Sequence, residues 1–248
     1  MEWLLDSGPI VQHAAFSLAL VAGLMLEATR PLRHQEMQRR ARRWLINGGL
    51  ALVNGPILHA TPFALAWVIE HVTGGGFSLL DRLSAGFWAS ALVTLLSVEF
   101  VSYWLHRAHH GLPFLWRLHS VHHSDTAPDV TTTHRHHPGE AAIGALAAIP
   151  TFLILGPSIE ASVAVTLFWA VVATLSHANV SIGATAQRLV GWAIVTPDYH
   201  RVHHSADVRY ADTQFATVIP LYDHLFGTAQ RWAPEWQANA PMGIVCSP

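Results

Sequence analysis

The sequence predicts an all-α integral membrane protein, a helical bundle of three spans plus a helical hairpin, with a cytoplasmic histidine-rich di-metal cap. Three observations predict it. Apolar residues make up 51% of the 248 and charged residues only 12%, about half the charged share of an ordinary soluble domain, and the mean hydropathy is +0.30. The apolar residues gather into stretches long enough to cross a bilayer. The excess among the 18 histidines gathers instead in the connections. His-x-x-His-His occurs twice, as His119, His122, His123 and as His200, His203, His204, and a His-x-x-x-His pair, His106 and His110, precedes the first copy.

The leading residues carry Glu2 and Asp6 rather than a basic region and show no small-residue cleavage site, so the first stretch is expected to be retained. Ile10 to Ala28 is the first expected span. Arg30, Arg33, Arg39, Arg40, Arg42 and Arg43 follow, six of 14 basic residues, all of which are arginine. By the positive-inside rule this connection faces the cytoplasm. Leu45 to Val72 reads as a second span kinked by Pro56 and Pro62, ended by a loop at Gly74, Gly75 and Gly76, with His59 and His71 as packing residues. The third, Phe87 to Leu105, returns to the cytoplasmic side and runs into His106. Residues 111–140 are polar, and Pro113, Pro128 and Pro138 forbid one continuous helix there. Ala141 to Ala178 reads as a hairpin broken at Gly156-Pro157, which enters the bilayer and comes back. That return brings His177 and the last box to the face of the first two. From Ser205 onward the chain is polar and turn-rich and is expected to cap the site.

The net charge of −2 argues against a nucleic-acid partner. The lone cysteine, Cys246, excludes an intrachain disulfide and a thiolate cluster, so metal ligands must be N or O donors. On a helix, residues three and four apart share a face at about 5–6 Å, so each box aims two or three imidazoles in one direction. Neutral imidazole is the commonest side-chain ligand for Zn, Cu, Fe and Ni. Glu99 lies two helical turns before His106 on the same face. A carboxylate inside a span needs a partner, and a ligand histidine or Arg107 is the expected one. An all-imidazole site can activate dioxygen or act as a Lewis acid for hydrolysis. Hydrolysis would call for a general-base carboxylate as in His-Glu-x-x-His helices, and the boxes contain none; a transporter would place its ligands within the spans rather than at their ends. Oxidation of a lipid at the membrane face is the favoured chemistry, with a zinc-dependent lipid hydrolase and a metal transporter as alternatives.

Tyr103-Trp104-Leu105-His106-Arg107 with His110, Leu115-Trp116-Arg117-Leu118-His119-Ser120-Val121-His122-His123-Ser124, Arg135-His136-His137-Pro138, His177-Ala178-Asn179, residues 196–205 (Thr-Pro-Asp-Tyr-His-Arg-Val-His-His-Ser) and Asp223-His224-Leu225-Phe226-Gly227-Thr228 together resemble the fatty acid hydroxylase and sterol desaturase superfamily. The matches run in family order over about residues 99–228. The resemblance implies a membrane-bound non-haem di-iron oxygenase that hydroxylates or desaturates a lipid with O2 and two external electrons; zinc is a possible substitute in purified protein. The implied ligands are His106, His110, His119, His122, His123, His200, His203 and His204, with His177 as a ninth. His137, Asn179 and Glu99 are candidates for additional or indirect roles. His109, His134 and His136 match no family position and are expected at the surface, and His224 is expected to be structural. The chain departs from the pattern at Arg209 and Ala211, where Asn and Gly are frequent, and at Tyr222, where Trp is, which bears on the lid and substrate rather than the metal.

The resulting organisation is residues 1–86 as N-terminal spans with their arginine-rich connection, 87–228 as the catalytic domain and 229–248 as a tail. Spans and boxes fill nearly the whole chain, so the expected electron donor is a separate ferredoxin, cytochrome b5-like protein or reductase. The expected location is a bacterial inner membrane, with the site on the cytoplasmic face.

Overall fold

The computed structural model describes residues 2–73, 78–207 and 209–244, the side chains of 2–10, 12, 58–73 and 234 excepted. The described residues are all-helical, with a single isolated bridge, Ser205 to Met242, and no strand. Two long helices open the chain, α1 (Glu2–Thr29) and α2 (Met37–Thr73). The loop expected at Gly74–Gly76, the side chains of His59 and His71, and Cys246 lie outside the described residues. A one-turn helix α3 (Leu79–Arg82) then leads into α4 (Phe87–Gly111).

Among the described residues, three helices are long and apolar enough to cross a membrane: α4, α6 (Pro138–Leu155) and α7 (Ile159–Ser176). These are the third expected span and both limbs of the hairpin. The described apolar part of α1, His13–Thr29, is shorter, and α2 does not qualify on its described residues. Large apolar side chains stand exposed along α1, α2, α4 and α6, with Leu18 at 69%, Leu52 at 81%, Trp88 at 82% and Leu146 at 65%. Exposure on that scale fits a surface solvated by lipid rather than water. α1 packs on α7, and α2 and α4 pack on α6.

Prolines set the breaks that shape the site. Pro113, Pro138 and Pro197 begin α5 (Pro113–His123), α6 and α9 (Pro197–His203), where a missing N–H costs nothing. Pro113 also holds Leu112 extended, at φ −112° and ψ 120°, so α4 ends one residue beyond His110 and α5 takes a new direction. The hairpin turn is closed by Gly156 in the left-handed region at φ 56°, with the hydroxyl of Ser78 donating to its carbonyl at 2.7 Å. A Cβ on Gly156 would come within 2.6 Å of the Ser78 Cβ and 2.8 Å of its Cα. Gly156→Ala is therefore expected to cost at least about 1–2 kcal/mol, the left-handed penalty alone, and to lower the melting temperature of detergent-solubilised protein by several degrees. An unchanged melt would contradict this reading of the turn.

The polar end of the bundle is tied together by buried carboxylates. Glu27, near the end of α1, accepts from the backbone N–H groups of Val130 and Asn179 and pairs with Arg40 at 2.6 Å. One side chain thus joins α1, α2, the short 3-10 helix Val130–His134 and the segment after α7. Three shorter helices, α8 (Gly183–Val190), α10 (Leu221–Leu225) and α11 (Pro234–Asn239), complete the cap over this end.

Candidate metal centre

The end of α4, the face of α5, the end of α7 and the face of α9 point their histidines at one another. They form two groups. His106, His110, His119, His123 and His203 bring one ring nitrogen each within 4.8 Å of every other, and His122, His177, His200 and His204 do the same. The groups share an edge, because the neighbours His122 and His123 fall in different groups and the His123 ring stacks on His204 with centroids 4.7 Å apart. All nine histidines singled out by spacing and resemblance are in these two groups.

Hydrogen bonds behind five of the nine rings decide which nitrogen those rings present. His106 Nδ1 donates to the Phe215 carbonyl (2.7 Å), His203 Nδ1 to the Thr213 carbonyl (2.8 Å) and His177 Nδ1 to the Ala173 carbonyl (2.7 Å). His119 Nδ1 meets the Glu140 carboxylate at 2.7 Å, and His110 Nδ1 meets Asp212 at 3.0 Å. A carbonyl only accepts, so these rings carry the proton on Nδ1 and turn the Nε2 lone pair inward. Nδ1–H held by a carbonyl or carboxylate is the usual support of a metal-bound imidazole.

A cation fits between the inward nitrogens. His106 Nε2 and His119 Nε2 lie 3.0 Å apart, although both rings hold their proton on the opposite nitrogen. Two lone pairs at that distance repel unless a positive charge lies between them. Protonation of His119 does not supply it, since burial, opposed by Glu140, lowers its pKa to about 4. The other inward contacts, His123–His119, His177–His122, His200–His177 and His204–His200, fall between 3.0 and 3.2 Å. Metal–nitrogen bonds of about 2.0–2.1 Å at roughly 90–109° put neighbouring donors about 2.8–3.4 Å apart. The buried Nε2 atoms of His110 and His203 meet no hydrogen-bond partner. The residues fit two metal ions.

Burial, reinforced by neighbouring imidazoles, also pushes His122, His123, His200, His203 and His204 well below the ordinary histidine range, and burial brings His177 to about 4. Below about pH 6.5 the unfolded chain takes up protons that the folded chain refuses. Stability of the metal-free protein is therefore expected to be full above about 6.5 and to fall as the pH drops towards 4. Thermal melts across that window check this, and a flat profile would contradict it.

Two buried carboxylates build the wall behind the first group. Asp223 accepts from the Phe215 and Ala216 N–H groups (2.8 and 2.9 Å) and from the hydroxyls of Tyr199 and Thr228. Glu99 was expected to brace an imidazole or Arg107; it accepts instead from the N–H groups of Thr217 (2.7 Å) and Val218 (3.2 Å). It acts one step behind the site, fixing the segment whose Phe215 carbonyl holds His106. Arg107 lies over the Trp104 ring, 5.0 Å from its centroid.

One other expectation needs correction. His109 is buried, not at the surface, with Nδ1 donating to the Leu105 carbonyl at 2.9 Å. His136 stacks on His122 at 4.3 Å and shares the Glu140 carboxylate with His119. His134 packs edge-on against Phe16. His137 lies in neither group: it caps α6, its Nδ1 accepting from Gly139 N–H. Asn179 is also outside both, its amide clasping the backbone of Arg33 in both directions. Glu140, which holds His119, is a functional residue that spacing does not reveal. Its one signal in the sequence is an acid at the head of an apolar stretch, weaker than that of Glu99, which lies inside one.

A helical bundle with three helices apolar enough to cross a membrane, and two buried histidine groups able to hold metal ions, defines the class. A family model described as fatty acid hydroxylase matches residues 91–228, and the chain belongs to that family. It is 30% identical to the alkylglycerol monooxygenase of Danio rerio over 239 residues, 95% of this chain and 44% of the relative. It is 31% identical to an ornithine lipid hydroxylase of Rhizobium tropici over 162 residues, 64% of this chain and 47% of the relative. A very-long-chain aldehyde decarbonylase of Arabidopsis thaliana is 28% identical over 153 residues, 58% of this chain and 24% of the relative. The chain spans less than half the length of each of these relatives. No solved structure matches it.

Proposed function

We propose that this chain is an integral membrane oxygenase that hydroxylates an unactivated C–H bond of a lipid, using O2, two iron ions and two external electrons. The observation that carries the reading is the pair of contiguous all-imidazole groups at the polar ends of apolar helices. Relatives named as a monooxygenase and a lipid hydroxylase support it. Two irons, when bound, supply the activation of dioxygen. Five histidines would hold one ion and four the other, and such neutral donors would leave the metal charge largely uncompensated.

The chain's own part is orientation and exclusion of water. The five Nδ1 hydrogen bonds hold tautomers that keep lone pairs inward. Trp116 covers His110 and His123 at 5.1 and 5.6 Å, and Phe215 lies against His106, His110 and His203. Tyr103, fully buried, stacks on Phe226 beside Phe215. Glu140 meets the outer nitrogen of His119, behind the ring, where it orients a ligand and is not placed as a general base at the metal. That placement argues against a zinc-dependent hydrolase. Residues 87–228 form the catalytic unit in this reading. In this reading the centre lies on the cytoplasmic face of a bacterial inner membrane, open to a separate ferredoxin, cytochrome b5-like protein or reductase, and the arginine-rich connection supports that orientation.

The test is metal content of protein from iron-replete cells, paired with O2 uptake on adding reductant and total lipid extract. About two irons per chain and lipid-dependent uptake are expected. Tightly held zinc, with hydrolysis products and no uptake even after iron reconstitution, would overturn the proposal.

A further inference from the structure

Away from the histidines, Arg39, Arg42, Arg43 and Arg135 line a cavity of about 250 Å3, with Ile46, Ser124, Thr126 and one carboxylate, Asp125, as its other walls. Their charges are unequally compensated. Arg43 is neutralised by Asp125 at 2.7 Å and Asp129 at 2.8 Å. Arg39 pairs with Glu36 at 3.0 Å, but the two side chains are 83% and 74% exposed, and a pair so wet contributes little. Arg42 is exposed and meets no carboxylate among the described residues. Arg135 donates only to neutral acceptors, the Val121 carbonyl, Ser124 Oγ and Asn47 Oδ1. Uncompensated guanidinium charge at a cavity mouth is a site for an oxyanion.

The helix above the cavity says which oxyanion. Residues 39, 42, 46, 49 and 53 follow one another at spacings of three and four, so they form one stripe along α2. Its lower end is Arg39 and Arg42, and its upper end is Ile46 and Val53, 41% and 56% exposed. Between them a Cβ added at Gly49 would meet nothing within 4 Å, so the stripe is open there. Charge below and an exposed apolar strip above is the outline of a phospholipid at the interface, where basic pockets on the cytoplasmic side of spans bind headgroups.

We infer that this cavity binds the phosphate of an anionic membrane lipid, whose acyl chain lies along the exposed stripe of α2. The inference rests on the membrane setting and does not depend on the oxygenase reading. A free phosphate would have no use for the apolar strip, and a water-soluble protein partner could not follow it into the bilayer.

The test uses the full chain in a non-ionic detergent, with lipid binding read by native mass spectrometry. Phosphatidylglycerol, phosphatidylcholine of the same acyl chains and inorganic phosphate are the three probes. Phosphatidylglycerol is expected to bind at least about tenfold more tightly than phosphatidylcholine, with the preference declining in salt. The exposed double variant Arg39→Gln/Arg42→Gln is expected to lose most of that preference with its metal content unchanged, and Arg39→Lys/Arg42→Lys to keep it. Equal binding of the two lipids, or a preference that survives in the glutamine variant, overturns the inference. Inorganic phosphate binding as tightly as phosphatidylglycerol would overturn the assignment to a lipid. So would a glutamine variant that binds lipid normally but is reduced more slowly by an acidic electron-transfer protein.

Discussion

His122→Ala is expected to leave the protein inserted and helical, to remove roughly half of its bound metal and to abolish turnover. His122 belongs to the four-histidine group, and its loss leaves three donors for that ion. His123→Ala takes one donor from the five-histidine group and leaves four, a complete tetrahedral set. The two neighbouring substitutions should therefore differ. The first should lose its ion to a chelator readily, whereas the second should retain close to the full complement. Activity should fall at least about a hundredfold in both, because residues that merely orient ligands already cost about 10–100-fold when lost. The fold should tolerate either change. Both side chains are buried, and His122 Nδ1 has no hydrogen-bond partner, so alanine at 122 removes an unsatisfied polar atom as well as packing. Metal per chain, circular dichroism and O2 uptake decide the matter. Full activity in His122→Ala would sink the proposed centre, and equal metal loss in the two variants would sink the division into groups of five and four.

The residues of the two histidine groups were legible because a shared helical face writes itself at fixed spacing. His-x-x-His-His on α5 and again on α9 is a helical-face pattern, and Pro113, Pro138 and Pro197 announce where the helices carrying or flanking those faces begin. The hairpin was legible for the same reason, since Gly156-Pro157 interrupts an apolar stretch long enough for two limbs. What holds the imidazoles was much less so. Three of the five Nδ1 partners are backbone carbonyls, of Phe215, Thr213 and Ala173, and a carbonyl leaves no mark in a sequence. Glu99 was rightly suspected as a buried acid, but its partners are main-chain N–H groups more than a hundred residues away, which no spacing argument reaches. His109 and His136 were assigned to the surface for matching no ligand position. Between the boxes, the helix turn that aims His106 and His110 inward also buries His109, and the return of the chain to α6 lays His136 on His122.

Glu140→Ala is expected to cut metal affinity about 10–100-fold, and Glu140→Gln to restore most of it. The Oε1 atom of Glu140 meets both His119 Nδ1 at 2.7 Å and His136 Nδ1 at 2.9 Å. Without that acceptor the His119 proton is free to move to Nε2, which would place a hydrogen where the lone pair must point. Glutamine keeps a carbonyl oxygen for the His119 N–H and so keeps the tautomer. Its amide nitrogen would replace Oε2, which is buried without a partner, at a cost of about 1–3 kcal/mol in stability. The glutamine variant should therefore melt lower than the unsubstituted protein yet hold metal better than the alanine variant, so that affinity recovers without full recovery of stability, which general loosening of α6 would not produce. His136→Ala separates the roles further, since it removes the ring stacked on His122 but leaves the His119 bond in place, and it should spare the five-histidine group. Chelator competition measures affinity and thermal melts measure stability. If alanine at position 140 binds metal as tightly as glutamate does, the carboxylate is not what fixes His119.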